Sequence, residues 1–542
     1  MEKIRNLFIR SITFAVVALV LAATAAQAGP CDNISTASGP VSGTLLEKAG
    51  VCAYLGVPYA APPVGDLRFR MPVEHDPWTE PLAADSISPQ CPQVLTPMSD
   101  SEIPMDEDCL YMNIWQPVSE GGPKPVMVFV HGGGFIIGTG GSSMYEGSTL
   151  ARYGDVVVVN FNYRLGVFGF LAHPSLRTPD GISGNWGMYD QVAALEWVKK
   201  NISSFGGDPD NVTLFGQSAG GMSVGLHLSS PLSAGLFKNV MILSGPVLLI
   251  NSGMEKAEKS GLKLAGYLGC DDPDTAAECL RNVDVDKIMN DLKLGIFVLD
   301  NAEADNMFFL APVIDGKFMP DAPYKIFRDG KFNTDVNVVL GTTRDEAAYF
   351  TMNKTLREDA DFLLNYEADM VSMETSFSID LRVDPEKVNE MYPLSEYPSV
   401  EKAYQDLICD AGFTCATELL GELIVKYQPN VYRFYHTKDP IKIMNWGAYH
   451  GSELPYIFGN FKMMGRDFKS KTNMKLTQKV ITLWSAYAKT GTMKADGLTD
   501  WPLYDLKNRS YMILGNDLEV GTNLKREKCA VMESEIKEFF DN

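Results

Sequence analysis

Residues 212–221 read Val212-Thr213-Leu214-Phe215-Gly216-Gln217-Ser218-Ala219-Gly220-Gly221. The first four form a short run of β-branched and large apolar residues, which suits a strand covered on both faces. The next six contain G-x-S-x-G and lead into a helix-compatible stretch. A strand that turns sharply into a helix lifts the central serine above the sheet and aims the helix's N-terminal dipole at it. So tight a turn leaves no room for bulky neighbours, so the flanking residues must be small. This is a nucleophile elbow, and it predicts a largely parallel sheet with Ser218 at the C-terminal ends of its strands. The plainer alternative is a helix-entry turn whose serine only caps the helix. The strand before the turn and Ala219-Gly220-Gly221 after it favour the elbow.

Working outward, similar buried-strand runs recur at Val126–Val130, Asp155–Phe161, Val240–Leu243, Val336–Leu340 and Val431–Tyr435. Helical patterns lie between them. Tyr189–Lys200 places Val192, Leu195 and Val198 on one face and ends on Lys199 and Lys200, favourable charges at a helix C-terminus. Alternation of this kind predicts an α/β fold: an open, doubly wound, mostly parallel central sheet with helices on both faces and ligands at the C-terminal strand ends. The acidic, helix-compatible segment from about Asp300 to Leu420 is expected to form a helical cap. No internal repeat or flexible linker interrupts the pattern, which predicts a single catalytic domain over residues 29–542.

The composition narrows the function classes. With 542 residues, 45% of them hydrophobic and 21% charged, the chain is neither disordered nor collagen-like. A net charge of −21 argues against nucleic acid as a partner. Lys3, Arg5 and Arg10 precede an apolar run from Ile12 to Ala23, and Ala26-Gln27-Ala28 follows. Residues 1–28 therefore read as a cleaved signal peptide, and the mature protein as exported, extracellular or periplasmic. No later stretch is apolar enough for stable membrane insertion. Export permits disulfides, and among nine cysteines Cys91 with Cys109, and Cys270 with Cys279, are close enough for local bridges. An odd total leaves at least one thiol over, and spacing alone does not give the pairing.

His131-Gly132-Gly133-Gly134-Phe135 directly follows the strand at Val126–Val130. Three successive glycines cost folding entropy, and here they leave bare N–H groups free to approach a reacting oxygen. That is the oxyanion element of esterases and lipases. No phosphate-loop spacing fits at this place. His131 reads as a structural residue that orients the loop. A serine hydroxyl also needs a base. Of six histidines (His75, His131, His173, His227, His436 and His450), only His436 and His450 satisfy the chain order serine, acid, histidine. The acid should follow a strand, and Asp345 and Glu346 both do so after Val336–Leu340. The residues alone leave that choice open.

Taken together, the chain resembles the type-B carboxylesterases, an α/β-hydrolase family that includes cholinesterases and several lipases. The resemblance rests on Gly56-Val57-Pro58-Tyr59-Ala60, Pro62-Pro63-Val64-Gly65 and Glu107-Asp108-Cys109-Leu110-Tyr111-Met112-Asn113. It continues through the His131 loop, Asn162-Tyr163-Arg164-Leu165-Gly166, Gly184-Asn185-Trp186-Gly187, Asp190-Gln191 and Phe205-Gly206-Gly207-Asp208-Pro209 into the elbow. It implies Ser218, Glu346 and His450 as the catalytic triad and the N–H groups of Gly133, Gly134 and Ala219 as the oxyanion hole. It also implies bridges Cys91–Cys109, Cys270–Cys279 and Cys415–Cys529. Cys31 with Cys52 is then a further candidate pair, leaving Cys409 over. Two departures stand out. Gln217 replaces the glutamate that many members carry before the nucleophile. The loop from Cys91 to Cys109 has no tryptophan, which argues against a choline ester as the preferred substrate.

The resulting expectation is a secreted serine carboxylesterase that acts on small-molecule esters through an acyl-serine and requires no cofactor or metal. Two alternatives are a lipase or polyester hydrolase acting on bulky insoluble esters, and a non-catalytic binding or adhesion protein on the same scaffold. Pocket walls come from loops distant in sequence, such as Met307-Phe308-Phe309, so acyl and alcohol preferences are not legible.

Overall fold

The computed structural model describes residues 29–96, 99–296, 310–348, 385–463 and 466–541. The expected signal peptide and Met307-Phe308-Phe309 lie outside those residues. Eleven strands make one sheet: β1 (Thr44–Leu46), β2 (Val51–Pro58), β3 (Tyr111–Pro117), β4 (Lys124–Val130), β5 (Val157–Phe161), β6 (Gly207–Gln217), β7 (Asn239–Leu243), β8 (Asn337–Thr343), β9 (Val431–His436), β10 (Ser510–Leu514) and β11 (Leu518–Thr522). Their spatial order is β1-β2-β3-β5-β4-β6-β7-β8-β9-β10-β11. From β5 to β10 every neighbouring pair is parallel. The flanks are antiparallel, with β1 to β3 on one side and β11 on the other.

The central strands are largely apolar because both sheet faces are covered, with a few buried polar residues such as Asn160 and Arg433 among them. Along β4, Val126, Val128 and Val130 join one core, while Met127 and Phe129 join the core on the opposite face. β7 repeats the alternation, with Val240 and Ile242 on one side and Met241 and Leu243 on the other. Helices supply the covers. On the first face lie α1 (Trp186–Asn201), which presents Val192, Leu195 and Val198, and α2 (Ala219–Ser229), which presents Val224, Leu226 and Leu228. On the second lies α3 (Lys471–Thr490), with Leu476, Val480 and Trp484. Burying a side chain of that size stabilises by about 1.5–3 kcal/mol, so strand and helix patterns reinforce one another.

All six strands and the helix read from the sequence are present. Where a helical cap is expected, the described residues include the helices Pro323–Arg328, Pro385–Met391, Val400–Cys409 and Cys415–Ile424. The same stretch threads β8 through the sheet, so only part of it is cap. Disulfides join Cys31–Cys52, Cys91–Cys109, Cys270–Cys279 and Cys415–Cys529, and Cys409 is a buried thiol. Among the described residues, no helix is long and apolar enough to cross a membrane.

Candidate active site

β6 ends at Gln217 and α2 begins at Ala219, which leaves Ser218 alone at the bend with φ +60° and ψ −127°. A non-glycine residue held there costs of order 1–3 kcal/mol and persists only where its surroundings fix it. Two backbone bonds do so. The Ser218 N–H donates to the Leu243 carbonyl at 2.9 Å, and the Ser218 carbonyl accepts from Met222 N–H at 2.8 Å. The neighbouring glycines are sterically required. A Cβ on Gly216 would sit 2.4 Å from the Gly220 carbonyl oxygen, and one on Gly220 would sit 2.0 Å from that of Val130.

Glu346 lies just past the C-terminal end of β8 and is fully buried. Its Oε1 accepts hydrogen bonds from Thr343 N–H at 2.7 Å and from the Ser244 hydroxyl at 2.6 Å. Its Oε2 lies 2.5 Å from His450 Nδ1. The structure thus brings Glu346 and His450 together across 104 residues. Of the two carboxylates left open by the sequence, Asp345 does something else. It clamps the loop that carries His450: its Oδ2 accepts from Ala448 N–H at 2.9 Å, and its own N–H donates to the Ala448 carbonyl. Burial alone would raise the Asp345 carboxyl, but ion pairs with Arg344 and Lys402 and the Ala448 bond hold it below its ordinary value.

The Gln217 amide nitrogen, one residue before Ser218, lies at hydrogen-bond distance, 3.1 Å, from His450 Nε2. Serine–imidazole bonds are commonly long in ligand-free enzymes and tighten when substrate binds. The Phe413 ring lies 5.1 Å from the His450 ring, supplied by the π-helical turn Asp410–Thr414. Glu453, in the same turn as His450, is wholly buried. Burial first, and the nearby Glu346 second, push its carboxyl up to about 8.

The glycine loop lies against the elbow. A Cβ on Gly132 would come within 3.0 Å of Ser218 Cβ. Gly133 and Gly134 take φ values of +117° and +62°, which side-chain-bearing residues rarely adopt. Ala219 opens α2, where the first N–H groups of a helix lack intrahelical partners. The other histidines sit elsewhere. His131 is buried and stacked on Tyr163 at 4.4 Å, with Nδ1 bonded to the Gly132 carbonyl. Burial pushes its imidazole down to about 4, as suits a neutral structural group. His436, the rival base, is buried with Nε2 donating to the Lys438 carbonyl, and burial pushes it down to about 3. His227 is tied to Gln191 and Ser233, His173 to Ser175, and His75 to the Asp76 carbonyl. Among the described residues, no three His, Cys, Asp or Glu side chains converge as a metal site requires.

One contributor escaped the sequence reading. Ser244 follows β7 at the same sheet edge and takes φ +48°. Its signal was present as a serine beside a glycine at a strand's C-terminal end, but its bond to Glu346 spans 102 residues.

The chain is similar to known esterases over nearly its whole length. The chain is 34% identical over 512 residues to the para-nitrobenzyl esterase of Bacillus subtilis (strain 168), covering 91% of this chain and 97% of that protein. It is 33% identical to the liver carboxylesterase of Sus scrofa, with 94% of each chain covered. A solved thermophilic PNB esterase superposes with a TM-score of 0.78 at 31% identity, covering 93% of this chain and all of that one. The model of the carboxylesterase family matches residues 30–532, and the chain belongs to that family of carboxylic ester hydrolases.

Proposed function

We propose that this protein is an exported serine carboxylesterase in which Ser218 is the nucleophile, His450 the general base and Glu346 the residue that orients it. The observation that carries the reading is the 2.5 Å contact between Glu346 and His450, whose far ring nitrogen is bonded by the neighbour of a serine held at φ +60°. With Glu346 accepting at Nδ1, that nitrogen carries the proton and Nε2 keeps its lone pair.

The reaction follows. On substrate binding, Nε2 takes the proton of Ser218 as its oxygen attacks the ester carbonyl. Negative charge then develops on the carbonyl oxygen, where the N–H groups of Gly133, Gly134 and Ala219 act as donors. The imidazolium, stabilised by Glu346, protonates the departing alcohol. Water activated by the same imidazole attacks the acyl-serine, releasing the acid and restoring Ser218. The substrates are small-molecule carboxylic esters, and para-nitrobenzyl and p-nitrophenyl esters are the first to try. Export is supported by the leader-like N-terminus and by four disulfides, which form and persist in oxidising compartments. The whole of residues 29–542 is then one catalytic domain.

Ser218→Ala tests the reading. It should fold with an unchanged unfolding transition and lose nearly all hydrolysis of p-nitrophenyl butyrate. Wild-type turnover by that variant would overturn it.

A further inference from the structure

Only the last residues of the loop that carries His450 take part in hydrolysis, and the chain before and after them has a different character. Residues 438–479 hold eight Lys or Arg against three Asp or Glu, within a chain of net charge −21. Ile443, on the short turn Lys442–Met444, is 77% exposed, more than any other large apolar side chain among the described residues. We propose that this basic, apolar-tipped face is a docking surface for an anionic lipid–water interface, onto which the enzyme adsorbs without inserting.

Three segments build the face. Ile441 and Tyr449, from the two ends of the loop before His450, pack with Met463 of the antiparallel hairpin Lys462–Asp467. Met444, Trp446 and Phe468 lean on that small cluster and stay partly exposed. The start of α3 closes it, where the Asn473 amide donates to the carbonyls of Pro440 at 3.2 Å and Phe468 at 3.3 Å. These contacts gather Lys442, Lys462, Arg466, Lys469, Lys471 and Lys475 in one region, all of them exposed. Among the described residues, none of the six is ion-paired, whereas Lys479, farther along α3, pairs with Asp517 at 3.4 Å. Asp467 is the one exposed carboxylate between residues 442 and 475, and its Oδ1 accepts from Lys469 N–H at 2.9 Å.

An exposed isoleucine beside a half-exposed tryptophan gains by leaving water at headgroup level, where tryptophan rings are favoured. Unpaired lysines around it add attraction to anionic headgroups, and the two terms together make peripheral binding stable where either alone is marginal. A second copy of this chain fits less well. A two-fold dimer through this face would set the same six cations against themselves. The tip and the imidazole also belong to one loop, clamped at Ala448 by Asp345. Adsorption therefore brings the active site proposed above to esters dissolved in the lipid. That consequence rests on the triad, whereas adsorption itself does not.

The test is flotation of the exported enzyme with vesicles of equimolar phosphatidylglycerol and phosphatidylcholine, compared with vesicles of phosphatidylcholine alone. Wild type should float with the anionic vesicles only and be released by ~0.5 M NaCl, which screens the attraction. Ile443→Asp should weaken partitioning by ~10-fold. The triple variant Lys442→Glu, Lys462→Glu, Lys469→Glu should weaken it by ~100-fold or more, at ~5-fold for each cation lost. Thermal unfolding checks that both variants fold; should the triple variant not, Ile443→Asp decides. Wild type that stays unbound to anionic vesicles would overturn the proposal, as would binding that neither variant weakens. Retention on immobilised polyglutamate without flotation would assign the face to an acidic protein and overturn it equally. A wild-type dimer in sedimentation that Ile443→Asp splits, with no flotation, would make it a self-association surface instead. Failure of the triad would appear as absent phosphonate label on Ser218 and would leave flotation unmoved.

Discussion

Replacing Glu346 with glutamine changes one atom, and the surrounding hydrogen bonds decide what that atom does. Oε1 receives the Thr343 backbone N–H at 2.7 Å and the Ser244 hydroxyl at 2.6 Å, while Oε2 receives His450 Nδ1. A backbone N–H cannot become an acceptor, so the new carboxamide must keep its oxygen toward Thr343 and turn its NH2 toward His450. Nδ1 must then accept, which moves the ring proton to Nε2, the nitrogen that has to receive the proton of Ser218. The wrong tautomer in a serine triad costs roughly 10⁴ in kcat. At 1.36 kcal/mol per tenfold this is about 5.4 kcal/mol of lost transition-state stabilisation. Binding contacts are untouched, so the loss should fall on kcat and leave KM nearly constant. The assay is steady-state hydrolysis of p-nitrophenyl butyrate at neutral pH, with thermal unfolding to confirm that the buried site still folds. Activity within about tenfold of wild type in folded Glu346→Gln would refute the tautomer argument, because the effect then lies far below what a misplaced proton imposes.

Two further outcomes follow from the same geometry. Gly220→Ala places a methyl 2.0 Å from the Val130 carbonyl and should destabilise by about 3 kcal/mol or more in chemical denaturation. Gly235→Ala, at φ +76° with open space around it, should cost only about 1 kcal/mol; similar costs at both positions would contradict the elbow packing. Glu453 keeps its proton in the folded state up to about 8 but releases it near 4.5 when unfolded. Between those values the unfolded chain binds fewer protons, so stability falls as pH rises, and Glu453→Gln should remove that slope from denaturation midpoints measured across pH 5–8.

The parallel centre of the sheet was legible because strands covered on both faces are apolar at most positions, on both sides. Val126–Val130 and Val240–Leu243 say so without help from the rest of the chain. The antiparallel flanks were not. β1 is a three-residue edge strand with two exposed positions, and β11 exposes Glu519 and Val520, so neither carries a buried-strand pattern. Within the site, the elbow and the glycine loop announce themselves because steric demand selects glycine locally. The choice between Asp345 and Glu346 does not. Both follow β8, and only the arrival of the His450 loop from a hundred residues away makes one the partner of the imidazole and the other the clamp on Ala448. Ser244 was hidden for the same reason, since it acts through a contact to Glu346 that exists only after the sheet has formed, whereas Gln217 stood out in the sequence itself, beside the nucleophile.

The central claim is that Ser218 is the atom acylated during turnover. A fluorophosphonate applied to the full-length enzyme, followed by peptide mass analysis, tests it directly. One phosphonyl group per chain on the peptide containing Ser218, with ester hydrolysis lost in proportion to labelling, is the predicted result. Complete labelling of Ser218 with hydrolysis undiminished, or inactivation by modification at another residue, would contradict it.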